Sequence, residues 1–152
     1  MSRPAVEPGP QRIAEAVRDA MLAKDRASRS LGMQVEAIGP GRATLCMTVR
    51  HEMLNGLDIC HGGLITTLAD SAFAFACNSH NVLTVAASLA VDLIAPAHEG
   101  DVLTAQAIEV SRSGRTGVYD AVVSNQRGEC VALLRGRSHS LKGRAVVDLP
   151  PV

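Results

Sequence analysis

Residues 61–79 read His-Gly-Gly-Leu-Ile-Thr-Thr-Leu-Ala-Asp-Ser-Ala-Phe-Ala-Phe-Ala-Cys-Asn-Ser. After the opening glycines the run holds no Gly or Pro, and Ile65, Leu68, Ala69, Ala72, Phe73 and Ala76 recur at i, i+3, i+4 spacing, which is the period of a helix. Small or apolar residues fill much of the opposite side as well, so the spacing predicts a central, covered helix. One charge interrupts it. A carboxylate among apolar neighbours is unfavourable without a partner, so Asp70 either accepts hydrogen bonds in the core or at an interface, or it serves chemistry.

Working outward, residues 11–28 are rich in helix formers with Ile13, Val17 and Ala20 at helical spacing, and predict one peripheral amphipathic helix. Residues 33–38 and 43–49, joined by Gly39-Pro40-Gly41, predict a β-hairpin, and residues 50–60 a loop. Four strand-like segments follow the central helix, at 84–93, 101–110, 116–125 and 130–139, and their short connections favour antiparallel meanders. The order predicts an α+β fold in which one antiparallel sheet curls around the long helix. Residues 1–30 are expected to form an N-terminal extension with its helix, 31–142 the main domain, and 143–152 a tail without periodicity, for which disorder or loose packing is expected.

The 152 residues fit one domain, and 47% hydrophobic with 20% charged residues is a soluble, globular profile. With a formal charge of zero and only Phe73, Phe75 and Tyr119 as aromatics, a nucleic-acid surface is disfavoured. The first ten residues carry prolines and charges instead of an apolar leader core, and the apolar runs stop short of a membrane span, so the chain reads as cytoplasmic and free of membrane contact. Cys46, Cys60, Cys77 and Cys130 are scattered and read as free thiols.

Chemistry concentrates at the entry of the central helix. The first amides of a helix lack intrahelical partners, and glycine admits a ligand oxygen, so Gly62 and Gly63 either form an oxyanion site or simply make the turn. Asp70 lies eight residues beyond Gly62, about 12 Å along a helix axis, too far to share one acyl carbonyl with it. If both groups act on one carbonyl, the carboxylate comes from a second copy across a two-fold axis. Asn55, in an Asn-Gly pair, and His61 flank the same entry, as orienting groups or as plain turn and cap residues. Arg112 and Arg115 fall on a predicted turn, and Arg135 and Arg137 alternate on one face of the last strand, suited to phosphates or to a solvated edge. No Gly-x-Ser-x-Gly, Cys-x-x-Cys or His-Glu-x-x-His occurs, which leaves nucleophilic-serine and metal chemistry without a motif.

Taken together, Asn55-Gly56, His61-Gly62-Gly63, Leu68-Ala69-Asp70-Ser71-Ala72-Phe73-Ala74 and Ala76-Cys77-Asn78-Ser79 resemble the hotdog-fold acyl-CoA thioesterases of the phenylacetate-degradation (PaaI) family. Thr116-Gly117-Val118-Tyr119-Asp120 and Arg135-Gly136-Arg137-Ser138-His139 extend the resemblance, which spans residues 31–142. It implies hydrolysis of an aryl- or arylacetyl-CoA ester without metal or organic cofactor, coenzyme A being part of the substrate. Asp70 would be the base or nucleophile, Gly62 the oxyanion donor, and His61 and Asn55 the orienting groups. Gly63, Arg112, Arg115, Thr116, Arg135 and Arg137 would contact substrate. The resemblance also implies a homodimer that shares its active sites, paired into a tetramer. A non-catalytic acyl-CoA or aromatic-acid binder on the same scaffold, with Asp70 serving only the interface, is the alternative.

Overall fold

The structure is a computed structural model that describes residues 6–149. Residues 1–5 of the expected extension and 150–152 of the expected tail lie outside the described residues. The chain runs α1 (Pro10–Lys24), α2 (Arg26–Ser30), β1 (Gln34–Gly39), β2 (Arg42–Thr48), α3 (Gly62–Asn78), β3 (Thr84–Leu93), β4 (Val102–Ser113), β5 (Thr116–Ser124) and β6 (Cys130–Ser140). All six strands form one antiparallel sheet in the order β1-β2-β4-β5-β6-β3, and α3 lies against every strand. This is the expected α+β hotdog layout.

The predicted stripe of α3 is the stripe that faces the sheet: Ile65, Leu68, Ala69, Ala72, Phe73 and Ala76 are all buried. A methyl at Gly136 would stand 2.9 Å from the Phe73 ring, so the absence of a side chain on β6 is what lets that ring reach the sheet. Phe73 in turn packs on Tyr119 with ring centroids 5.4 Å apart and planes tilted by 57°. The opposite flank is less covered than expected. Thr66, Thr67, Asp70, Ser71 and Ala74 are only half-buried there.

Three further expectations need correction. The single helix over 11–28 is two helices, because Asp25 stops α1 and caps α2: its carboxylate accepts the Ser28 N–H at 2.9 Å and the Ser28 hydroxyl at 2.7 Å. The last four strands are not one meander. β4, β5 and β6 are sequential neighbours, but β3 pairs with β6 at the far edge. Its eight-residue link to β4, carrying Pro96, is too long to make a tight hairpin and crosses the end of the sheet instead. The described part of the tail is tethered. Asn81, in the left-handed region at φ 62°, accepts the Val146 and Val147 N–H groups and donates to Val147 O, while Leu83 N–H donates to Arg144 O.

Candidate active site

The loop before α3 is a closed turn. Leu54 bridges Cys60, Asn55 N–H donates to Ile59 O at 2.8 Å, and Cys60 N–H reaches across to Ala97 O at 2.8 Å. These bonds hold the entry of α3 against the segment that leaves β3. A cleft of about 420 Å³ lies between them, lined by Asn55, Ile59, Cys60, Gly62, Ile65, Leu93, Ile94, Ala95 and Pro96. Apart from Asn55 and main chain its walls are apolar. A Cβ on Gly62 would sit 2.5 Å from Leu93 Cδ1, so glycine there lets the end of β3 close over the helix entry.

The amides of the first helical turn sort themselves. Leu64 N–H and Ile65 N–H donate to His61 O, and Gly63 N–H donates to His61 Nδ1 at 3.0 Å. Gly62 N–H alone among these four has no acceptor among the described residues, and Gly62 lines the cleft. His61 is therefore the cap of α3, and the acceptor role of Nδ1 puts the proton of its neutral ring on Nε2. Gly63 is the less available of the two glycines, because its amide is engaged by that cap.

Asn55 is oriented just as definitely. Its Oδ1 accepts Leu57 N–H at 2.9 Å and Ile59 N–H at 3.4 Å, which fixes the amide flip and leaves Nδ2 as the free group. Nδ2 can only donate. Gly62 N–H and Asn55 Nδ2 thus offer two donors to one apolar cleft, the arrangement that stabilises negative charge growing on a carbonyl oxygen.

Asp70 is not in that cleft. It lies two turns further along α3, half-buried, with no hydrogen bond or ion pair among the described residues, and burial pushes its pKa above the ordinary carboxylate value. The same flank carries Cys77, whose thiol is pushed up to about 12, first by burial and in smaller part by the Asp70 charge. The structure brings together Asn55, His61, Gly62 and Gly63 within one chain, and leaves Asp70 apart.

The cations are dispersed. Arg112 Nε lies 3.3 Å from Glu109 Oε1, a carboxylate that also receives the Tyr119 hydroxyl at 3.4 Å and faces His80 Nε2 at 3.3 Å. Arg115 is exposed at the β4–β5 turn, and Thr116 opens β5. Arg135 grips Asp120 with two bonds of 2.7 Å on the sheet face away from α3, which Arg137 shares. Sequence reasoning missed the cleft wall formed by Leu93, Ile94 and Ala95. The signal was weak: a Gly-Gly helix entry implies that something packs close to it, but not what.

A family model described as the thioesterase superfamily matches residues 57–132. The acyl-coenzyme A thioesterase PaaI of Escherichia coli is 43% identical over 124 residues, covering 82% of this chain and 89% of that one. The solved structure of the E. coli PaaI protein from the phenylacetic acid degradation operon superposes with a TM-score of 0.88 at 40% identity, over 90% of this chain and 99% of that chain. A mutant of the phenylacetic acid degradation protein PaaI from Thermus thermophilus gives a TM-score of 0.74 at 37% identity, over 77% of this chain and 100% of that chain.

Proposed function

Since the chain belongs to the hotdog acyl-CoA thioesterases of the PaaI type, we propose that it hydrolyses aryl- or arylacetyl-CoA thioesters to the free acid and CoA at a site shared between two copies. The observation that carries this reading is that Gly62, with its free amide, and Asn55, with its free amide nitrogen, line one apolar cleft that holds no base. The thioester carbonyl sits between these donors, and Asp70 of a second copy supplies the base or nucleophile. As base it takes a proton from water while the water oxygen bonds to the carbonyl carbon. The C–S bond then breaks and sulfur leaves as the CoA thiol. As nucleophile its oxygen bonds to the acyl carbon, the C–S bond breaks and CoA thiolate leaves, and water opens the resulting mixed anhydride in a second step to return the carboxylate and release the acid.

The edge strand favours the second copy. β3 is outermost in the sheet, and its apolar Val85 and Leu89 are 49% and 39% exposed. A two-fold axis beside β3 would pair it with itself and bring the half-covered flanks of α3 together, with Asp70 of each chain near the helix entry of the other. Two such dimers form the proposed tetramer. The CoA phosphates are assigned to Arg112, Arg115 and Thr116 at the β4–β5 turn and to Arg135 and Arg137 on the outer face. The reaction as proposed uses only protein groups and water, with the cytoplasm as its compartment. Chelator treatment should leave it unchanged.

Release of free thiol from phenylacetyl-CoA, followed with a chromogenic thiol reagent, tests the substrate class. Turnover of phenylacetyl-CoA well above that of acetyl-CoA is expected. Equal turnover of the two esters overturns the aryl preference, and no turnover of either overturns the proposal.

A further inference from the structure

Asn55 is the only one of the four asparagines that precedes glycine; Asn78, Asn81 and Asn125 precede Ser79, Val82 and Gln126. Its surroundings suit an internal reaction. The two N–H groups that donate to Oδ1 draw electrons from the side-chain carbonyl carbon, as donors at any carbonyl under attack do. The nitrogen that could attack is also free. Leu57, Asp58 and Ile59 all donate their N–H groups back to Asn55, but Gly56 N–H donates to nothing among the described residues. Beyond its two chain neighbours, nothing lies within 4 Å of where a Gly56 Cβ would stand, and the next residue, Leu57, is 79% exposed. Attack by Gly56 N on Asn55 Cγ closes a five-membered ring within one short stretch of chain, a case where proximity alone lowers the barrier.

We propose that Asn55-Gly56 is a self-modification site that ages the enzyme. Gly56 N bonds to Asn55 Cγ as it loses its proton, the Cγ–Nδ2 bond breaks, and nitrogen departs with that proton as ammonia. Water then opens the cyclic imide to aspartate or isoaspartate. The modification itself does not depend on the thioesterase reading, but its consequence does: the free Nδ2 donor is lost, and a carboxylate stands beside the position assigned to the oxyanion.

The test is peptide mass mapping of the intact protein during incubation at mildly alkaline pH, beside a synthetic peptide of residues 52–60. A gain of about one dalton is expected on the fragment carrying Asn55 and not on those carrying Asn78, Asn81 or Asn125, at a rate within about tenfold of the peptide and rising with pH. Gly56→Ala should slow it about tenfold or more, because a methyl crowds the attacking nitrogen. That variant keeps the fold, since Gly56 has no positive φ and its Cβ would meet open space. An Asn55 that stays intact while the peptide converts overturns the proposal, as does an unchanged rate in Gly56→Ala. Thioesterase activity followed in the same samples separates the two readings. Loss in step with the mass gain supports both, while mass gain with full activity keeps the modification and overturns the donor role of Asn55.

Discussion

Asp70 is where residue chemistry is most exposed to test. Asp70→Asn is near-isosteric but neither basic nor nucleophilic, so turnover should fall by about 100-fold or more while the fold and oligomer persist. Wild-type turnover in that variant would remove Asp70 from the mechanism. The carboxylate must be ionised to act, and burial raises its pKa. The acidic limb of the kcat/KM profile should therefore lie above the range of an ordinary Asp, and in Asp70→Asn residual activity should lose that limb. Stability carries the opposite sign. A carboxyl whose folded pKa is raised favours the folded state while protonated, and that contribution is lost as pH rises through the folded value. Asp70→Asn should then raise the Tm at neutral pH, with the difference closing as pH falls into the carboxylate range. A lower Tm at neutral pH would mean that the charge has a stabilising partner, and the flank of α3 would have to be reconsidered as a structural contact.

At the scale of elements, α3 was legible almost residue by residue, because six apolar positions at one period admit a single buried face. The break at Asp25 was not legible, since helix formers continue on both sides and an aspartate is compatible with either a helix interior or a cap. β3 was read correctly as a strand, with bounds that match, but its place in the sheet was hidden. The face of β3 that pairs with Gly136, Leu134 and Ala132 carries Leu89, Val91 and Leu93, with Ser88 and Asp92 on the other face, and yet the strand stands at the edge with Leu89 and Leu93 exposed. Exposed leucines on an open edge are what a second copy would cover. Leu89→Lys should give monomers by analytical ultracentrifugation and abolish activity, although Asn55, Gly62 and Asp70 are all intact. An active monomer would place the whole site within one chain. Gly136→Ala probes the core instead: the added methyl meets the Phe73 ring, with an expected loss of about 1–3 kcal/mol in denaturant unfolding.

At the scale of the molecule, the distance between Gly62 and Asp70 could be read from the chain, but what fills it could not, because a sequence states spacing along one helix and not the neighbour across a symmetry axis. The arginines show the same limit. Arg112 and Arg135 looked equivalent as cations, and only the fold shows one engaged with Glu109 beside the end of α3 and the other bound to Asp120 across the sheet. A shared site can be tested by mixing lesions. Gly62→Pro removes the one free amide of the first helical turn, where a proline backbone is accepted although its ring must push Leu93 aside in the cleft of its own chain, and Asp70→Asn removes the base, so each variant alone should be nearly inactive. A mixed dimer would hold one site with both lesions and one with neither. Random re-association makes half of the dimers mixed, so refolding an equimolar mixture should return about a quarter of the wild-type rate if sites act independently. Absence of recovery, with mixed dimers confirmed by native mass spectrometry, would mean that both groups act within one chain or that one of them is not catalytic.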